Sequence, residues 1–155
     1  MKTDPAFVHV NLIAKDWKRL ARFYIDVFGC EPVPPERSLS GKWLEDATGI
    51  KNAEIKGAHL KLPGFKDNSP TLEIFQYNSS PAGVSKAIND HGFGHIAFYV
   101  KDVKAAFKKL LQHGGGKLGE IVVKEIPDAG IVTFVYAKDP EGNVIELQNW
   151  EKHKT

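Results

Sequence analysis

The chain contains part of itself twice: residues 93–116 align with residues 7–30 without a gap. Phe93 falls on Phe7, His95 on His9, Lys101-Asp102 on Lys15-Asp16, Lys104 on Lys18 and Gly115 on Gly29. Each copy is followed by a strand pattern with one carboxylate among apolar residues, Thr71-Leu72-Glu73-Ile74-Phe75 and Val144-Ile145-Glu146-Leu147-Gln148. Duplication is a strong constraint, because whatever one half adopts the other must be able to adopt as well.

In the first copy, residues 7–13 alternate with period two. Val8, Val10 and Leu12 share one face, and His9 and Asn11 the other, which predicts a strand. Asp16 is placed to cap a helix in which Trp17, Leu20, Phe23, Tyr24, Val27 and Phe28 recur at helical spacing, and Gly29 to end it. Residues 31–50 hold Pro32, Pro34 and Pro35 and are expected to be irregular. Trp43 and Leu44 in that stretch either cover a core edge or form the mouth of a pocket. Residues 54–62 and 71–77 read as a strand pair joined through 63–70. The polar stretch 78–94 reads as a linker.

In the second copy, Ile96, Phe98 and Val100 alternate with His95, Ala97 and Tyr99. Asp102 caps a helix whose stripe is Val103, Ala106, Phe107, Leu110 and Leu111, and Gly114-Gly115-Gly116 stops it. Residues 120–126 and 131–137 form a hairpin, and Asp139-Pro140-Glu141-Gly142-Asn143 turns into a last strand over 144–150. The polar tail 151–155 is expected to fray. These patterns define an α+β fold: two tandem βαβββ modules, 7–77 and 93–150, joined by a linker over 78–92 within a single domain spanning 1–155. The helices should cover one face of a curved mixed sheet, leaving the other faces to form a cup.

Composition narrows the function. A formal net charge of +2, with lysines spread along the chain, argues for neither nucleic acid nor a membrane surface. The single cysteine, Cys30, excludes an internal disulfide and reads as a small apolar residue at a helix end. No apolar run approaches the ~18 residues of a membrane span, so the expected location is cytoplasmic.

Strand parity decides where the polar groups point. His9 and His95 lie opposite the helix-packing residues of their strands. Leu72/Ile74 and Ile145/Leu147 are the natural helix-packing pairs of the closing strands, which sends Glu73 and Glu146 into the same cup. Unpaired buried carboxylates are costly, and two neutral imidazoles with two carboxylates balance a divalent metal ion through N and O ligands. The expected ligands are therefore His9, Glu73, His95 and Glu146, leaving two positions of an octahedral ion for a substrate presenting two oxygens. His59, His91, His113 and His153 have no counterpart in the other copy and read as surface or supporting groups.

This pattern resembles the vicinal-oxygen-chelate superfamily, which includes glyoxalase I, methylmalonyl-CoA epimerase, extradiol dioxygenases and fosfomycin- and bleomycin-resistance proteins. The likeness runs from Phe7 to Trp150. It is carried by Gly94-His95-Ile96-Ala97-Phe98, by Asp139-Pro140-Glu141-Gly142-Asn143 with Ile145-Glu146-Leu147, and by Arg22-Phe23-Tyr24. The family's four metal positions map onto His9, Glu73, His95 and Glu146. The resemblance implies one divalent ion per site (Zn, Ni, Co, Mn or Fe) and chelation of vicinal or enolate-like oxygens. It further implies a lyase or isomerase in which Glu146, or its mate Glu73, removes a proton beside a polarised carbonyl of a small-molecule substrate. Glyoxalase I-like enzymes carry this ligand set but also an Arg four residues after the first His; Ile13 stands there, which argues against glutathione. Epimerases of this type usually have Gln at the Glu73 position. An Fe(II) dioxygenase and a metal-free small-molecule binder are the alternatives. Chains this short in the superfamily commonly pair, and edge strands left open favour pairing, so a homodimer is expected; sedimentation should show twice the chain mass, and a fully active monomer at micromolar concentration would contradict this.

Overall fold

The computed structural model describes residues 5–83 and 87–152. His153, the end of the tail and part of the linker lie outside the described residues. The chain divides into two compact units, Met1–Gly83 and Val84–Thr155.

The first unit runs β1 (His9–Ile13), α1 (Trp17–Phe28), β2 (Glu31–Ser40), α2 (Lys42–Thr48), β3 (Glu54–Lys61) and β4 (Thr71–Tyr77). Its sheet has the order β1-β4-β3-β2, with β1 parallel to β4 and the other pairs antiparallel. The second unit runs β5 (Ile96–Tyr99), α3 (Val103–Gln112), β6 (Gly116–Lys117), β7 (Val122–Ile126), β8 (Gly130–Lys138) and β9 (Val144–Glu151). Its sheet has the order β5-β9-β8-β6, with β7 also on β8 and β5 parallel to β9. Two mixed sheets with helices make the chain α+β, as its patterning predicted.

Local chemistry explains the helices. Asp16 and Asp102 are extended and accept hydrogen bonds from Arg19 N and Ala105 N, satisfying donors that helix starts leave open. Gly29 ends α1 in the left-handed conformation at φ 71°, and its N–H reaches Ile25 O. Trp17, Leu20, Ala21, Phe23 and Tyr24 are buried, and they pack with Leu60, Leu72 and Ile74, all at 0% exposure, in the core of the first unit. In the second unit Leu110, Val135, Ala137, Ile145 and Leu147 occupy the same role. The β1 alternation holds from Val10 onward, but Val8 precedes the strand and is exposed.

The stretch 31–50 is regular, contrary to the expectation drawn from its prolines. Ten residues form the edge strand β2. Prolines are tolerated at a sheet edge, where a missing N–H breaks no ladder on the open side. Between Val33 and Arg37 the register slips, four steps on β2 facing two on β3. The second unit repeats the device: from Lys117 to Val122 five steps face three on β8. Each sheet edge thus carries two extra residues at the corresponding place, as a bulge within β2 in one unit and between β6 and β7 in the other, which ends simple pairing there.

The helix α2 was not expected and has no partner among the described residues of the second unit. Its Leu44 is buried with Ala53 and Ile55, against Leu39, Phe75 and Tyr77. Those strand residues lie on the face opposite α1, so α2 covers one end of the face that also carries Glu73. Leu44 therefore anchors a small second core while Trp43 stays exposed.

Two positions admit little change. A Cβ on Gly57 would sit 2.1 Å from Ile74 O. Asp139, 3% exposed, holds the last turn by accepting from Glu141 N and Asn143 N at 2.9 Å and from Asn143 Nδ2 at 2.8 Å. Urea denaturation should show Gly57→Ala losing roughly 1–3 kcal/mol through overpacking. Asp139→Ala should lose roughly 2–4 kcal/mol because buried donors are left unsatisfied.

Candidate functional site

Each unit builds one polar cluster on the sheet face away from α1 or α3. In the first, the β1–β4 register sets Asn11 beside Glu73, and the β3–β4 register sets His59 on its other side. His9 lies two residues before Asn11, diagonal to the carboxylate. Asn11 Nδ2 donates to Glu73 Oε1 at 2.8 Å, and His59 Nε2 lies 2.9 Å from Oε2. His9 Nε2 is 3.8 Å from Oε1, beyond hydrogen-bond reach. The Glu73 side chain is only 12% exposed, so its contacts act in a partly desolvated setting.

The cluster of the second unit repeats the frame with different neighbours. Glu146 lies between Ala97 on β5 and Tyr136 on β8, with His95 diagonal as His9 is to Glu73. His95 Nε2 lies 2.9 Å from Glu146 Oε2, and the Glu146 side chain is 15% exposed. The His95 ring meets Tyr136 at 5.2 Å between centroids, and Phe134 continues the row at 5.6 Å.

Electrostatics differs between the two. Burial pushes the His59 imidazole below its usual range, outweighing the upward pull of Glu73, while Arg37 and His9 lower it further. A neutral His59 donates Nε2–H to the carboxylate and leaves Nδ1 as the acceptor facing Thr71 Oγ1, 3.5 Å away. Burial, then the Glu146 charge, raises the Tyr136 phenol. That hydroxyl stays protonated at neutral pH.

Within each unit the structure brings together the residues that the duplication singled out, His9 with Glu73 and His95 with Glu146. Neither unit taken by itself, among the described residues, holds three or more His, Cys, Asp or Glu side chains spaced to bind an ion. His59 and Asn11 were not singled out by sequence. Their counterparts are Tyr136 and Ala97, so a search for repeated histidines passes over them; the gapless alignment sets Asn11 on Ala97, and the strand register sets His59 on Tyr136. His91 is exposed, and His113 binds back to its own helix at Lys109 O. Burial raises the Cys30 thiol to about 11, which leaves it inert at neutral pH.

Comparison with known proteins agrees with this architecture. A glyoxalase family protein from Bacillus cereus superposes with a TM-score of 0.78 at 18% identity, over 96% of this chain and 95% of that one. A glyoxylase/bleomycin resistance protein/dioxygenase domain from Frankia sp. EAN1pec gives 0.59 at 15% identity, over 98% and 96%. The fosfomycin resistance protein FosX from Listeria monocytogenes, complexed with Mn(II) and sulfate, gives 0.54 at 16% identity, over 97% and 95%. At such identities these matches establish the fold. No curated protein matches the chain significantly in sequence. The sequence model of one family matches residues 6–147, and the chain therefore belongs to the Glyoxalase/Bleomycin resistance protein/Dioxygenase superfamily.

Proposed function

We propose that the protein is a metal-dependent lyase or isomerase that moves a proton beside a carbonyl of a small-molecule substrate. The observation that carries this reading is the repeated pairing of one half-buried carboxylate with one imidazole, at the same strand register in both units. The donors fit a divalent ion: imidazole nitrogen and carboxylate oxygen suit Zn, Ni, Co, Mn or Fe, and all the Nε2 atoms concerned turn toward a carboxylate. His9, Glu73, His95 and Glu146 would hold it, drawn from one chain or from two. The Mn(II) bound by the FosX relative is consistent with that donor set. When bound, such an ion supplies Lewis acidity to a substrate oxygen and stabilises negative charge as it develops.

The chain's own groups divide the remaining work. Glu73 accepts from Asn11 and lies against His59, so it keeps its place. Glu146 has His95 at one oxygen and no donor from the Ala97 side, which leaves it able to take the substrate proton and return it. A carboxylate with a reference pKa near ~4.3 is a weak base. It suffices only for a C–H made acidic by the adjoining polarised carbonyl. Phe134 and Tyr136, beside His95, offer an apolar wall to the substrate.

A second reading has one observation in its favour. Both Glu73 oxygens already have protein partners, and among the described residues no buried side-chain polar atom lacks one. A small-molecule binding protein needs no ion to satisfy these groups. Calorimetric titration of chelator-stripped protein with Mn(II) separates the two. The metal-dependent reading expects saturable binding and, at ~100-fold excess over the dissociation constant, about 2.7 kcal/mol of added stability; absence of both favours the binder.

Hemithioacetals, acyl-CoA thioesters with an acidic α-carbon, and catechols under air form the substrate screen. Exchange of a substrate C–H with solvent deuterium should require metal. It should fall by roughly 10²-fold or more in Glu146→Gln, the scale of a lost general base. Oxygen uptake with catechol cleavage, and no exchange on any carbonyl compound, would point to a dioxygenase instead.

A further inference from the structure

His59 lies outside the duplicated set, yet it stands closer to Glu73 than His9 does, 2.9 Å against 3.8 Å. With Asn11 on Oε1 and His59 on Oε2, the carboxylate is gripped from both neighbouring strands. His59 is itself braced, its ring edge-on to Phe75 at 5.8 Å and to His9 at 6.1 Å, with Thr71 Oγ1 beside Nδ1. A carboxylate held at both oxygens from opposite sides has little freedom about its last torsion. In the other unit the same two places are Ala97, which offers no side-chain donor, and Tyr136. The sheet frame is duplicated, but the grip is not.

We propose that His59 is a positioning residue that locks the Glu73 carboxylate, making Glu73 the fixed carboxylate of the site and leaving Glu146 the one that moves a proton. The division of labour rests on the metal-dependent reading above. The grip on Glu73 does not. Outer partners of a metal-binding side chain fix its orientation, and their loss weakens metal binding without removing a ligand.

The test uses His59→Phe, which keeps the ring and removes its N–H, and His59→Gln, which restores a donor. Asn11→Ala removes the partner on the other oxygen and carries the test where the Phe variant does not fold. With Mn(II) alone as probe, calorimetry of chelator-stripped protein should show affinity falling roughly 10–100-fold in His59→Phe and recovering to within about threefold in His59→Gln. Unchanged affinity in His59→Phe overturns the proposal. So does a loss as complete in His59→Gln as in His59→Phe, which would make His59 a ligand or a merely structural ring. In metal-free protein the Glu73 carboxyl-carbon NMR resonance should shift in His59→Phe and return in His59→Gln; a resonance that stays put overturns the proposal whether or not metal binds. Wild-type protein that takes up no Mn(II) would sink the metal-dependent reading alone, and the metal-free resonance then decides the grip.

Discussion

In each unit the first strand runs parallel to the last, and the site depends on that one pairing. Side chains alternate across a strand, so a slip of one residue would turn Glu73 or Glu146 into the helix-packed face and bring a leucine or isoleucine out in its place. The register is held by the apolar side of the same strands. Leu72 and Ile74 cannot leave α1, nor Ile145 and Leu147 leave α3, without exposing fully buried side chains. Burying one such side chain is worth about 1.5–3 kcal/mol. The polar cluster of each unit is thus aimed by the hydrophobic core beneath it.

The parallel pairing also accounts for the order of elements. Antiparallel neighbours can be joined by a short turn, but parallel strands need a long crossover. Here the crossover contains the helix and the intervening strands. The closing strand then arrives between the first strand and the strand just before it in sequence, placing its carboxylate in the middle of three strands. A glutamate there has a neighbour on each side, Asn11 and His59 in one unit and Ala97 and Tyr136 in the other. The same scaffold therefore supports a tightly held carboxylate and a more loosely held one. The helix α2, which has no counterpart among the described residues of the second unit, adds to that difference by covering part of the face beside Phe75 and Tyr77.

Reading the edge strand illustrates where pattern reasoning stops. Pro32, Pro34 and Pro35 oppose regular structure wherever both sides of a strand must be hydrogen-bonded, and that rule led to the expectation of an irregular stretch. The rule does not apply at an outer edge, and which strand ends up outermost is a property of the whole sheet. Likewise Leu44 and Trp43 are adjacent apolar residues with opposite fates, one buried and one exposed, because α2 presents only one side to the sheet.

The duplicated frame, the helix caps at Asp16 and Asp102, the helix end at Gly29, and the side of each strand on which His9, His95, Glu73 and Glu146 lie are all legible in the amino-acid sequence. These are local matters: periodicity, capping chemistry and the two-residue alternation of a strand are written in consecutive residues. It takes the folded sheet to show that His59 and Asn11 reach Glu73, that Tyr136 takes the place of His59 beside Glu146, and that β2 closes an edge. Those contacts join residues separated by 10 to 62 positions. Their register follows from loop lengths, bulges and core packing, which act across the sheet and leave no periodic trace along the chain.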